Sequence, residues 1–365
     1  MRAAIRLGLP VAGDASLRVL ISRWENGHAM PDPVNRLLLQ DVFGLDPTAL
    51  GLVEDEVAEQ QTDVTAVVSH IARRAEPSTV AITYFNEQLA AHARFDNLAG
   101  PNFVLATAVG QLHQVEQLAA GGAPELTQLA CRYAEFAGWL QQDLGNNTEA
   151  LRLTNRAVDL AEMAGDGARA TYNRMRKANV LMATGDLHLA AATAQRSMSE
   201  ASERFPHLIP VCLRQQALAS ARLRDERGAR TAIERAITLT RATVDASDTL
   251  SPYCTTSYVQ MEAALCLLVL RQPSAAEEAC AHALADWPAE LARDRTLCIA
   301  RRGVALVEMH EVDEACRTAM LALDGVRSAP SGRALHMLRF ITTRLRPLGR
   351  NTSVRELTEA LAEVA

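Results

Sequence analysis

YAEFAGWLQQDLGNNTEALRLTNRA, residues 133–157, carries the pattern that decides the fold. Gly138 is followed by Ala150 twelve residues later and by Ala157 seven residues after that. The same offsets recur at Ala178, Ala190 and Ser197, at Ala217, Ala229 and Ala236, at Ala264, Ala276 and Ala283, and at Gly303, Ala315 and Ala322. The third members step by 40, 39, 47 and 39 residues. The offsets land next on Thr342, Val354 and Leu361, larger residues that suit a terminal capping repeat. The physical content is close packing. A small residue on the first helix of a pair lets the second approach, and the two small residues on the second let the following helix approach in turn.

The stretches between the members break where a helical hairpin must turn: Gly145-Asn146-Asn147, Thr184-Gly185-Asp186, Asp225-Glu226-Arg227, Arg271-Gln272-Pro273 and His310-Glu311. The longest step contains VDASDTLSPYCT, residues 244–255, read as a loop. Aromatics are only 4% of the 365 residues, so the composition favours helices over sheets. The predicted class is all-α, a solenoid of stacked helix pairs over residues 79–365, with 79–95 and 101–119 as a divergent first pair.

Small residues at offsets of 12 and 7 resemble the tetratricopeptide repeat, here in a lengthened form. Tyr133-Ala134-Glu135-Phe136-Ala137-Gly138-Trp139-Leu140, followed by Asp143-Leu144-Gly145-Asn146, is similar to the first clear repeat of actinobacterial regulators that join a helix-turn-helix to such an array. The resemblance implies a right-handed superhelix with a concave groove that takes a peptide or protein partner. In the family, contacts come from the second, fifth, ninth and twelfth positions of the first helix of each repeat. On this chain those positions include Arg132, Glu135, Trp139 and Gln142, then Tyr172, Met175, Asn179 and Met182, then Arg214, then Tyr258 and Met261. Asn179 offers both amide atoms to a peptide backbone. Arg214 suits a carboxylate, and the Tyr and Met side chains give adaptable apolar contact.

Residues 1–52 read differently. DASLRVLISRWENG, from Asp14 to Gly27, has a capping residue at its start, a glycine at its end, and a stripe of Leu17, Leu20, Ile21 and Trp24. VNRLLLQDVFG follows as a second helix, with Pro33 in its first turn. Ile21-Ser22-Arg23-Trp24-Glu25-Asn26-Gly27, then Pro31-Asp32-Pro33, then Phe43-Gly44-Leu45-Asp46 resemble the phage-repressor-like (XRE) helix-turn-helix family. That resemblance makes the first helix the one that enters the major groove of operator DNA. Arg18, Ser22 and Arg23 would meet bases or phosphates, and Asn26 and His28 the backbone. Only MRAAIRLGLP precedes it, so the domain reads as truncated or as starting upstream of Met1. Residues 53–78 read as a linker, with a helix over Asp63–Arg74.

Charge limits the DNA reading. The chain carries a net charge of -6, and residues 1–52 hold five arginines against five carboxylates. Phosphate neutralisation supplies most non-specific DNA affinity, so one copy of this unit is expected to bind weakly and a homodimer is expected. The seven cysteines are scattered, without a CxxC pair, and read as small core residues in a reducing cytoplasm. No apolar run is long enough for a membrane span. No phosphate loop, nucleophile elbow or metal motif is present, so no enzyme, cofactor or metal is expected. Two readings stay open: a DNA-binding regulator whose repeats sense a peptide, small signal or protein, and an interaction scaffold without autonomous DNA binding.

Overall fold

The computed structural model describes residues 13–25, 31–43, 79–242 and 250–364. The expected linker, the N-terminal ten residues, Asn26 and His28 lie outside them. The chain divides between Arg73 and Arg74 into two units.

In the first unit, α1 spans Asp14–Glu25 and α2 spans Pro33–Phe43. Asp32 starts α2 by accepting the Asn35 backbone N–H at 2.9 Å and its side-chain amide at 2.8 Å. These bonds hold the Asp32 carboxyl below its ordinary range. Arg36 Nε donates back to the Pro31 carbonyl at 2.8 Å, fixing the chain's entry into the helix. Leu38 is buried, while Leu17, Leu20, Ile21 and Trp24 are half-buried along one side of α1.

The second unit consists of paired helices, with no strand among the described residues. The divergent first pair is α3 (Thr79–Ala99) and α4 (Leu105–Ala119). Then come α5 (Pro124–Asp143) with α6 (Asn147–Met163), α7 (Gly167–Thr184) with α8 (Leu187–Arg204), and α9 (Ile209–Arg222) with α10 (Glu226–Ala242). The array ends with α11 (Thr256–Val269) and α12 (Pro273–Ala285), α13 (Ala292–Glu308) and α14 (Val312–Ser328), and α15 (Gly332–Leu345) and α16 (Thr352–Ala362). Every small residue of the five triplets is buried. At the first of them a Cβ on Gly138 would come within 3.0 Å of Thr154 Oγ1 and 3.4 Å of the Ala150 carbonyl, so α5 and α6 meet there almost backbone to backbone.

The turn inside each pair repeats as well. Gly145, Gly185, Arg224, Arg271 and His310 all have positive φ, between 62° and 87°. They step by 40, 39, 47 and 39 residues, the interval of the small triplets. In four of the five, the next residue's N–H returns to a carbonyl five positions back, as Asn146 does to Gln141 and Glu311 to Leu306, both at 2.9 Å. That bond is the helix-ending motif which needs one left-handed residue. Glycine fills it twice; elsewhere an arginine or histidine accepts the strain.

Successive first helices pack side by side and form the inner wall of the array. The wall curves until its last third returns to its first. A Cβ on Gly332, at the start of α15, would sit 1.9 Å from the Asp143 carbonyl at the end of α5. Gly100 has φ 87°, and a Cβ there would sit 2.9 Å from Pro330. The approach at Gly332 admits no side chain.

Candidate functional site

The inner wall holds the residues singled out from the sequence, together with a polar set at a register that was not. Two residues before the first small residue of repeats two to five stand Arg176, Gln215, Glu262 and Arg301. All four are buried. Buried polar groups are costly unless they find partners, so four at one register is a built feature.

Their partners form a chain along the wall. Arg176 Nη2 donates to Gln142 Oε1 at 3.1 Å, and Gln142 Nε2 donates to Asn179 Oδ1 at 2.6 Å. Asn179 Nδ2 donates to Gln215 Oε1 at 3.1 Å, and Arg214 Nη1 reaches the same oxygen at 3.2 Å. Arg214 then pairs with Glu262 Oε2 at 3.2 Å, and Arg301 with Glu262 Oε1 at 2.7 Å. Arg301 also donates to the Met261 carbonyl at 2.9 Å. Burial pushes the Glu262 carboxyl up, but Arg301 and Arg214 outweigh it and leave it at about 2.

The opposite wall comes from the end of the array. Two guanidinium groups stack on Trp139, with Arg176 4.9 Å and Arg333 4.3 Å from its ring centroid. Arg293 bridges Asp96, at 2.7 Å, and Asp143. Asp143 also accepts the Gly332 N–H at 3.2 Å and the Arg333 N–H at 3.4 Å. Arg333 reaches Asp294 at 3.0 Å. Burial raises the Asp96 carboxyl, and the Arg293 charge opposes it.

Each expected groove residue therefore has a definite place. Arg132 is half-buried and donates to Asn86; burial is the main cause that lowers its guanidinium pKa. Glu135 pairs with Arg176 at 3.5 Å, and burial raises its carboxyl. Tyr172 is buried, with its hydroxyl 3.2 Å from that of Tyr253 on the 250–255 turn. Tyr253 meets Tyr258 edge-on at 5.0 Å. Met175, Met182, Arg214, Tyr258 and Met261 are buried, while Trp139 and Asn179 are half-buried. The sequence placed these side chains along an open groove. Closure of the array instead lays its far end and the 250–255 turn over them, so Tyr172, Arg214 and Tyr258 face protein. On α1, Arg18, Ser22 and Arg23 are exposed.

Six of the seven cysteines are buried and behave as core atoms, and Cys254 is half-buried. Burial pushes Cys131, Cys212 and Cys266 up to about 12, far from a reactive thiolate. Among the described residues no helix is long and apolar enough to cross a membrane.

Neither a known protein family nor a curated protein matches the sequence. Solved structures do. A Rap protein complexed with Competence and Sporulation Factor superposes with a TM-score of 0.53 at 11% identity, covering 85% of this chain and 92% of that one. NprR in complex with its cognate peptide NprX gives 0.50 at 13% identity, covering 88% and 89%. At such identities the likeness is one of fold. The chain is a tetratricopeptide-like helical-repeat protein.

Proposed function

We propose that this chain is a peptide-responsive regulator, in which the inner wall of the repeats binds a peptide and α1 reads operator DNA. The observation that carries the reading is the register of buried polar residues Arg176, Gln215, Glu262 and Arg301, linked through Gln142, Asn179 and Arg214. An extended peptide repeats donors and acceptors along its backbone, and carboxamides on successive inner helices match that repetition. Of the two proteins of similar fold, one is in complex with Competence and Sporulation Factor and the other with its cognate peptide NprX.

The DNA half rests on α1, which exposes Arg18, Ser22 and Arg23 opposite its half-buried Leu17, Ile21 and Trp24. Operator recognition by one such helix is weak, and a homodimer spanning two half-sites supplies the rest. Effector binding changes the output only when one arrangement of the dimer binds peptide better than the other.

The test uses the full chain. Incubation with a random hexapeptide pool, followed by mass spectrometry of what is retained, is expected to return a narrow set of sequences. Selection from a randomised duplex pool is expected to return a palindromic site whose affinity falls when Arg18 or Arg23 becomes Ala. Retained peptides with no retained DNA leave an interaction scaffold, the reading that the cancelling charges of residues 1–52 favour. Retention of neither refutes the proposal.

A further inference from the structure

Arg214, Glu262 and Arg301 form a buried triad, with exposures of 2%, 4% and 6%. Two guanidinium groups share one carboxylate, so the triad carries one positive charge more than it neutralises. Elsewhere in the interior Glu135 pairs with Arg176, Asp294 and Asp143 with Arg333, and Asp96 and Asp143 share Arg293, so these five arginines and five carboxylates balance overall.

The geometry locates two unmet donors beside the triad. Glu262 sits closer to Arg301, at 2.7 Å, than to Arg214, at 3.2 Å. Arg214 Nε and Gln215 Nε2 are both buried donors without an acceptor in the protein. They belong to one group, because Arg214 Nη1 and Gln215 Oε1 are 3.2 Å apart. The surroundings are aromatic and apolar: the Tyr258 ring lies 5.7 Å from the Arg214 guanidinium, and Met175 Sδ is 3.3 Å from Arg214 Nη2. Tyr253, half-buried on the 250–255 turn, covers the group through its contacts with Tyr172 and Tyr258.

We propose that Arg214 and Gln215 form an anchor for one carboxylate of the ligand, which takes the two donors left over by Glu262. The proposal rests on the peptide-sensing reading and adds its chemistry. Two donors from a guanidinium and a carboxamide suit the two oxygens of a carboxylate. The carboxylate is either the C-terminus of a peptide or an Asp or Glu side chain, and entry requires Tyr253 to swing aside.

The experiment compares the full chain with Arg214→Gln. That variant leaves Glu262 and Arg301 as a balanced pair, and its unfolding midpoint serves as a check of folding. Two probes are used. The first is the random hexapeptide pool, once with free C-termini and once amidated. The second is 3-phenylpropionate against 3-phenylpropionamide, read by calorimetry. Retention of the free-acid pool at least tenfold above the amidated pool, lost in Arg214→Gln, assigns the C-terminus; roughly 10- to 100-fold is the range for a hydrogen-bonded charge. Equal retention, with Asp or Glu enriched at one position and that enrichment lost in the variant, assigns a side chain. Binding of the small acid but not its amide, with no peptide retained, keeps the anchor and refutes the peptide reading. Acid and amide bound alike without acidic enrichment, no binding of either probe, or Arg214→Gln binding as the parent does, overturns the anchor.

Discussion

Replacing Asp143 by Ala removes the residue on which the two ends of the array meet. Its side chain is wholly buried at the end of α5, 150 residues in sequence from Arg293 and 189 from Gly332. It accepts from Arg293 and from the first two N–H groups of α15, so it is at once an ion-pair partner and a helix cap supplied from far away. Losing a charge-assisted bond costs about 1.5–3 kcal/mol, and losing an anionic cap costs roughly 0.5–1 kcal/mol. Arg293 keeps Asp96 at 2.7 Å, so its charge is not abandoned. The total therefore falls below the loss of a sole buried partner, at about 2–4 kcal/mol. Urea unfolding of the full chain measures it. A double-mutant cycle with Arg293→Met is expected to show a coupling of about 1–3 kcal/mol, because the two side chains touch. Amide exchange in α15 and α16 is expected to accelerate while α7 and α8 keep their protection, since the closure ties terminal pairs and not central ones. A cost under about 0.5 kcal/mol, additive with Arg293→Met and with unchanged exchange, refutes the closure argument.

Three further substitutions probe the repeat and its inner wall. His310→Gly is expected to raise stability by about 0.5–1 kcal/mol in urea unfolding, because relief of a left-handed residue exceeds the added freedom of glycine in the unfolded chain. Ala157→Leu, at a fully buried triplet position, is expected to cost about 1–3 kcal/mol by forcing α6 away from its neighbours, read as a lower denaturation midpoint. Glu262→Gln tests the buried carboxylate through pH. Its folded pKa of about 2 lies below the ordinary unfolded value, so its stabilisation is complete above about pH 4.5 and fades as pH falls toward 2. Between pH 5 and 3 the parent is expected to lose about 1–2 kcal/mol more than the variant. The comparison separates Glu262 from Asp96, whose raised carboxyl acts in the opposite sense.

Much of the scaffold was legible because its determinants are local and periodic. A helix pair needs small residues where backbones approach, and Ala157 or Ala264 reports that need whatever the rest of the fold does. The intra-pair turns were legible from Gly145, Gly185 and Pro273. The predicted Asp225-Glu226-Arg227 turn lies at Leu223–Asp225, with Asp225 capping α10 by accepting the Gly228 N–H at 2.9 Å. There Arg224 takes the left-handed position, and an arginine gives no glycine signal.

The site divides along the same line. Asn179, Gln142 and Trp139 followed from the contact positions of the repeat family the chain resembles, because facing the inner wall is a property of one repeat. Arg176, Gln215, Glu262 and Arg301 share a register too, yet each reads singly as a solvated charge or amide. Only the common position, two residues before a small one, marks them as a set. Closure had no local signal. Where α15 meets α5 depends on the small rotation each pair adds to the last, summed over the array. Arg293, Asp143 and Arg333 are ordinary surface residues until that sum brings them together. The burial of Arg214 follows from the same sum. An inner-wall arginine is a solvated ligand-binding group in an open superhelix and a buried group with an unmet donor in a closed one. The curvature of the array thus sets how tightly an anion is held at Arg214, and a variant that loosens the Asp143 closure is expected to weaken that hold without touching the anchor.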